Sequence, residues 1–284
     1  MEATVRRSNW VLANGVRTHY SACGENGPTV VLVHGGGPGS SGLAGWRFML
    51  PVLGAHFRVF ALDQVAFGLT DARPHAWPTK GYLSLVDHLS DFIDALCIDE
   101  VMLVGNSQGA YVAAKYALEN PEKVKKLFLI GSATIALAMG MTYDMTSAGT
   151  RKFDGSADSM RAFLESLLVD KSTITDELIA ERLRNTDRPG WTESNRTFIA
   201  AGNAMLKDPN LFQRFEVSSR LPRLTIPTRF VWGNQDTRAP LDLARGLEKL
   251  LPNIPFEYID QAGHQVQTDQ PALVNKMVLD FFRG

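Results

Sequence analysis

The residues with the most chemical promise lie in the stretch Val101-Met-Leu-Val-Gly-Asn-Ser-Gln-Gly-Ala-Tyr-Val112. There Gly105-Asn106-Ser107-Gln108-Gly109 follows an apolar run and precedes good helix formers that stop at Asn120-Pro121. A serine on so sharp a strand-to-helix turn is held in a strained backbone conformation with its hydroxyl clear of the sheet. A Cβ at Gly105 or Gly109 would collide with the neighbouring strand or helix. The helix beginning there aims free amides and the positive end of its dipole at whatever Ser107 attacks. The Gly-x-Ser-x-Gly pattern alone arises by chance in about one chain of this length in ten. Its weight comes from the strand and helix on either side.

A serine hydroxyl is a poor nucleophile unless a base takes its proton, and the base needs a third group to fix its tautomer. Of the six histidines (His19, His34, His56, His75, His88 and His264), only His264 follows Ser107, in the polar loop Asp260-Gln-Ala-Gly-His-Gln265. With the acid expected between serine and histidine in chain order, Asp236 has the best address, directly after a strand over Thr228–Gly233. Asp242 and Asp260 remain the alternatives. The oxyanion of an addition step needs amide donors. The bare backbone of His34-Gly35-Gly36-Gly37 and the amide of Gln108 supply them, with Gly36 and Gly37 the closest candidates. The same glycines lack both the Gly-x-Gly-x-x-Gly spacing and the Gly-Lys-Ser/Thr of a phosphate loop.

These residues need a scaffold. Asn9–Leu12 and Val16–Ser21 read as strands joined at Asn14-Gly15, a strong hairpin signal. Thr29–Val33 and Phe57–Leu62 are continuous apolar runs, the pattern of strands buried on both faces. A helix is expected from about Trp46 to Leu53. Tyr82, Leu85, Val86, Leu89, Phe92, Ile93 and Leu96 repeat at helical spacing. After a strand over Lys126–Gly131 the alternation stops. Residues 133–216 show helical patches and no convincing strand, with Met139, Met141, Met145, Met160 and Met205 among Tyr143, Phe153, Phe163, Trp191, Phe198, Phe212 and Phe215. Such an insertion suits an adaptable apolar wall over a pocket, or simply packs its own small core. Strand and helix then alternate again over Pro227–Gly233, Pro240–Leu251 and Phe256–Ile259. A last helix starts at Pro271, with Val274, Met277, Val278 and Phe281 facing inward. Repeated strand–helix units imply a mainly parallel sheet covered on both faces.

The 284 residues carry a formal net charge of −1, with 45% hydrophobic and 21% charged residues. That balance gives no electrostatic reason to expect nucleic acid or an anionic membrane as partner. Cys23 and Cys97 are too few for a disulfide framework or a zinc site. No run approaches membrane-spanning length and no export leader is legible, so a cytoplasmic protein acting on a small molecule is expected.

With Gly105–Gly109, His34–Gly37, Asp236 and His264 in chain order, the sequence resembles the α/β-hydrolase family. The resemblance implies an α/β fold in which a core of residues 1–133 and 217–284 carries a helical lid of residues 134–216. His34-Gly-Gly-Gly-Pro-Gly39 and Val104-Gly-Asn-Ser-Gln-Gly109 look most like the meta-cleavage product hydrolases, which break carbon–carbon bonds in ring-opened aromatic catabolites. The resemblance implies a catalytic Ser107, Asp236 and His264, an oxyanion hole at Gly36, Gly37 and Gln108, and no cofactor or metal. It also implies that Asn106 and the lid arginine Arg182 bind the carboxylate and dienol end of the substrate. Two positions depart from the pattern. The subfamily's His-Trp is His264-Gln265 here, with Gln265 expected in the substrate pocket, and its asparagine after the oxyanion loop is Gly45. Relatives of this kind associate as dimers or larger homo-oligomers, an expectation the sequence pattern does not itself yield. A carboxylesterase or lactonase using the same triad, and a ligand-binding homologue without turnover, stand as alternatives.

Overall fold

The computed structural model describes residues 6–142 and 153–284. The hairpin pairs β1 (Arg7–Ala13) with β2 (Val16–Cys23), Ala13 facing Val16. Asn14 and Gly15 take φ of 45° and 84°, the left-handed pair that a tight two-residue turn requires. β3 (Thr29–Val33), β4 (Arg58–Leu62), β5 (Val101–Asn106), β6 (Val124–Ile130), β7 (Thr228–Gly233) and β8 (Phe256–Ile259) complete one sheet. Its order is β1-β2-β4-β3-β5-β6-β7-β8, antiparallel at β1, β2 and β4 and parallel from β4 onward.

Both faces of the central strands are covered, and the alternation along β3 shows why. Val31 and Val33 enter a core under α3 (Tyr82–Ala95), α4 (Gln108–Glu119) and α10 (Leu241–Leu250). Val30 and Leu32 face the opposite core, built with α1 (Gly42–Trp46), α2 (Leu50–Gly54) and α12 (Pro271–Arg283). Period-two side chains with apolar residues at every position require cover on both sides. The helix expected from Trp46 to Leu53 is in fact two short ones, α1 and α2. Pro51 sits at the start of α2, where its missing N–H does no harm, whereas inside a continuous helix it would remove a bond and clash with the preceding turn. On α12 the fully inward residues are Val274, Val278 and Phe282, while Phe281 and Met277 are only partly covered.

Between β6 and β7 the described residues hold helices and no strand. α5 (Ala133–Ala138) packs into the first core through Ile135, Ala136 and Ala138. α6 (Ala157–Glu165) and α7 (Asp176–Thr186) share a satellite cluster containing Met160, Phe163, Leu164, Leu167, Leu168 and Ile179. From α8 (Trp191–Lys207) and α9 (Pro209–Phe215), Phe198, Met205 and Phe215 join the main core, Phe215 lying 4.6 Å from the Tyr111 ring. Met160, Phe163, Phe198, Met205 and Phe215 are therefore packing residues. Tyr143 and Met145 lie outside the described residues. α11 (Val266–Asp269) is a single turn after the last strand.

The sheet positions the site through its connectivity. From β3 the chain crosses to β4 on one side, and β5 pairs on the other, with Val33 opposite Gly105. Such a switch in direction leaves a crevice at the carboxyl ends of the two strands, where ligands bind in open α/β sheets. The glycine loop after β3 and Ser107 after β5 meet there.

His88 on α3 is fully enclosed. Its Nδ1 accepts from the Val65 amide at 3.2 Å, so the proton sits on Nε2 and is donated to Thr18 Oγ1 at 2.8 Å. Burial pushes its pKa down to about 3. The unfolded chain, with an ordinary histidine near pH 6.5, therefore binds a proton between about pH 6.5 and 3 that the folded chain refuses. This term is absent above pH 6.5 and destabilises increasingly as the pH falls. Replacing His88 by Gln should flatten the loss of stability between pH 7 and 5, by about 2 kcal/mol at pH 5. Urea unfolding at several pH values checks this, and parallel curves for the two proteins contradict it.

Candidate active site

Ser107 links β5 to α4 with φ 57° and ψ −124°, a left-handed backbone that a residue with a Cβ adopts only under constraint. The constraints are visible. The Ser107 amide donates to the Ile130 carbonyl at 2.9 Å. Its carbonyl accepts from Ser132 Oγ at 2.6 Å and from the amides of Ala110 and Tyr111. Ser132 also caps α5 by accepting from the Ile135 amide. A Cβ on Gly105 would lie 2.4 Å from the Gly109 carbonyl, and one on Gly109 would lie 2.2 Å from the Val33 carbonyl. Both glycines are thus required by close packing of α4 on β3 and β5. Ser132 was not singled out from the sequence, because a serine after a strand carries no distinguishing signal.

β7 ends at Gly233 and the following turn projects Asp236, while the loop after β8 carries His264. Asp236 Oδ2 and His264 Nδ1 are 2.8 Å apart, both largely buried. Asp236 Oδ1 accepts the amides of Arg238 and Ala239, each at 2.8 Å. These bonds orient the carboxylate toward His264. Asp242 is exposed in the first turn of α10, and Asp260 is exposed and bonded to Asn234. Of the three aspartates, only Asp236 reaches His264.

The glycine loop is braced from several sides. His34 Nε2 accepts from the Gln64 amide at 3.2 Å, so its proton lies on Nδ1 and is donated to the Gly35 carbonyl at 2.7 Å. Burial lowers its pKa and keeps the ring neutral at physiological pH. Gly36 backs onto Gln108: a Cβ there would come within 2.5 Å of Gln108 Oε1. Gln108 Nε2 is buried without a hydrogen-bond partner among the described residues. Gly37, at φ 114°, lies against the Phe163 ring of α6. The first amides of α4, beginning with Gln108, have no partner within the helix, as at any helix N-terminus.

Arg182 on α7 is 2% exposed. Its Nε and Nη2 donate to the Pro38 carbonyl at 3.0 and 2.7 Å, Nη2 also reaches Ser40 Oγ at 3.0 Å, and the Phe163 ring lies 5.5 Å from Cζ. It makes no ion pair among the described residues, and Nη1 is left without a hydrogen bond there. Burial pushes its pKa down to about 10, offset in part by Glu181. A cation buried against neutral acceptors is costly unless an anion joins it.

Asn106, expected with Arg182 at the carboxylate and dienol end of a substrate, is tied to the backbone through its amide nitrogen. Its Nδ2 donates to the carbonyls of Ile130 and His264 at 3.2 and 3.1 Å, which uses both amide hydrogens. Only Oδ1, an acceptor, stays without a hydrogen bond among the described residues. Gln265 is buried at the start of α11, with Oε1 at 3.4 Å from Thr268 Oγ1. Gly45 packs on His34, and its carbonyl lies 3.5 Å from Gln267 Nε2. A cleft of about 740 Å³ adjoins the glycine loop at Gly37 and Pro38, walled by Phe67, Trp191, Phe198 and Ile199. No group of three or more metal-ligating side chains occurs among the described residues.

A family model described as alpha/beta hydrolase fold matches residues 28–271. The chain is 32% identical over 273 residues to a 2-hydroxy-6-oxo-2,4-heptadienoate hydrolase of Pseudomonas putida, covering 95% of this chain and 94% of that one. It is 30% identical to a 2-hydroxy-6-oxononadienedioate/2-hydroxy-6-oxononatrienedioate hydrolase of Paraburkholderia xenovorans, with 94% and 90% covered. Among solved structures, a mutant of the meta-cleavage product hydrolase CumD superposes with a TM-score of 0.79 at 31% identity over 97% of each chain.

The packing at Gly109 predicts that Gly109→Ala destabilises the protein by about 3 kcal/mol or more, because the carbonyl oxygens of Val33 and His34 that obstruct it are backbone. Thermal unfolding of the variant would show it, and an unchanged midpoint would contradict the close approach.

Proposed function

The chain belongs to the α/β-hydrolase fold family, and from that premise we propose that it is a serine-dependent hydrolase of carbon–carbon bonds. Its substrates are ring-opened aromatic catabolites of the 2-hydroxy-6-oxohexa-2,4-dienoate type, the class for which its relatives are named. The observation that carries this beyond a plain triad is Arg182, a buried guanidinium that makes no ion pair among the described residues and lies beside the glycine loop. Cleaving an ester needs no such cation. Binding the carboxylate of a vinylogous diketo acid does.

In this reading the substrate carboxylate lies against Arg182, and its 2-hydroxyl donates to Asn106 Oδ1. His264, its tautomer fixed by Asp236, moves the proton that converts the dienol to the ketone. Ser107, or a water held in its place, then adds to the 6-keto carbon as His264 takes the nucleophile's proton. The amides of Gly36, Gly37 and Gln108 hold the oxyanion. The bond to carbon 5 breaks with its electron pair passing into the conjugated acid, so the leaving carbanion is a stabilised enolate. Protonation releases a 2-hydroxypentadienoate, and water releases the remaining acyl group as a carboxylic acid. The cleft that begins at Gly37 and Pro38, with Phe67, Phe198 and Ile199 beside polar Asn195 and Arg196, would take the substituent on carbon 6.

Residues 134–216 act as the lid, on a core of 1–133 and 217–284. A cytoplasmic enzyme that self-associates as a dimer or larger is part of the same proposal. No helix among the described residues is long and apolar enough to cross a membrane.

The test is turnover of 2-hydroxy-6-oxo-6-phenylhexa-2,4-dienoate beside p-nitrophenyl acetate. Loss of the dienolate colour should be fast and should fall by at least about 10³-fold in Ser107→Ala and His264→Ala. Rapid ester hydrolysis with an untouched dienolate would overturn the reading in favour of an esterase or lactonase. Tight dienolate binding that survives Ser107→Ala, with no turnover by the wild type, would point to a binding protein.

A further inference from the structure

The connection between α6 and α7 is sewn to both loops that carry the histidine and its acid. The His264 amide donates to the Leu167 carbonyl at 2.8 Å. Thr237, next to Asp236, donates its hydroxyl to the Ser166 carbonyl at 3.1 Å. The hub of this seam is one carboxylate. Asp269 Oδ1 accepts the amides of Val169 and Asp170, each at 2.9 Å, and Oδ2 accepts the amide of Gly263 at 2.7 Å. Gly263 immediately precedes His264, and a Cβ on it would lie 2.6 Å from the Leu167 carbonyl. Asp269 is 5% exposed and ends the short α11. Burial raises its pKa, while the three amides and Lys171 pull it down.

We propose that Asp269 is a positioning residue that locks the insertion onto the histidine loop, so that His264 is correctly placed only while the 166–170 segment is seated. The physical reason is that all three donors converge on one side chain. Val169 and Asp170 belong to the insertion and Gly263 to the catalytic loop, so neither can shift without breaking bonds to the other's anchor. The seam places two further bonds, at Leu167 and Ser166, next to the residues forming the His264–Asp236 contact. Displacement of the insertion is thereby transmitted to the dyad. Asp269 itself touches no reacting atom. The inference rests on His264 acting as the base and holds whichever bond the enzyme cleaves.

Asp269→Asn presents an N–H₂ to at least one N–H donor and removes the charge, while its volume is nearly unchanged. It should lower kcat by about tenfold to a hundredfold through misplacement of His264, with KM moving far less. The downfield proton resonance of His264 Nδ1–H should shift or vanish, a change that simple loss of stability would not produce in a folded sample. Asp269→Glu, which restores the charge on a longer arm, should fall between. A wild-type kcat and an unshifted resonance in Asp269→Asn would overturn the proposal. Should that variant not fold, hydrogen exchange of the wild type decides: the amides of Val169, Asp170 and Gly263 should open together at one rate, and independent rates would contradict the seam. The resonance and the exchange need no turnover, so they separate failure of this inference from failure of the proposed reaction.

Discussion

The left-handed backbone at Ser107 is the constraint on which the rest of the molecule depends. Holding a residue with a Cβ at φ 57° costs on the order of 1–2 kcal/mol, and it persists only because its surroundings allow nothing else. Ile130 and Ser132 grip its amide and carbonyl from the neighbouring strand end. α4 can follow so tightly only because Gly105 and Gly109 let it lie on the backbone of β3 and β5. The crossover of the sheet at β3 and β5 then brings the glycine loop alongside. A strained turn, two glycines and a strand order are therefore one arrangement seen at three scales.

Around that turn, the parts proposed to do chemistry arrive on loops from distant stretches of chain, and each is fixed by hydrogen bonds with backbone groups. His34, kept uncharged by burial, pins Gly35. Asp236 is aimed by two amides, and Asn106 ties the elbow to the His264 carbonyl. The insertion takes part in the same bracing, because Phe163 and Arg182 both press on the Gly37–Ser40 segment. Arg182 docks α7 on the loop and holds a buried positive charge that makes no ion pair among the described residues.

Much of this was legible in the sequence because the signals are local. Apolar runs gave the strands, Asn14-Gly15 gave the hairpin, and Gly105–Gly109 gave the elbow. Where the structure departs, the deciding contact is remote or competes with a pattern. The helix expected around Trp46–Leu53 divides just before Pro51, whose position limits helix continuity more than the apolar spacing promotes it. Asn106 has an amide engaged by carbonyls 24 and 158 residues away, which no motif reveals. Among the described residues the aromatic and methionine content of the insertion is divided, Met205 and Phe215 reaching the main core while Phe153, Trp191 and Phe198 wall the cleft. Asp269 carries no signal at all in the sequence, because its partners Val169 and Asp170 lie about a hundred positions earlier.

In the proposed reaction Arg182, a buried guanidinium with no ion pair among the described residues, selects an acid substrate for the triad. The most direct test compares kcat/KM on the 2-hydroxy-6-oxo-6-phenylhexadienoate acid and on its neutral primary amide, for the wild type and Arg182→Gln. Arg182→Gln should lose about a hundredfold on the acid, the value of one buried charge-assisted contact, and little on the amide. Equal losses on the two substrates would mean that Arg182 only holds the loop and does not select the acid.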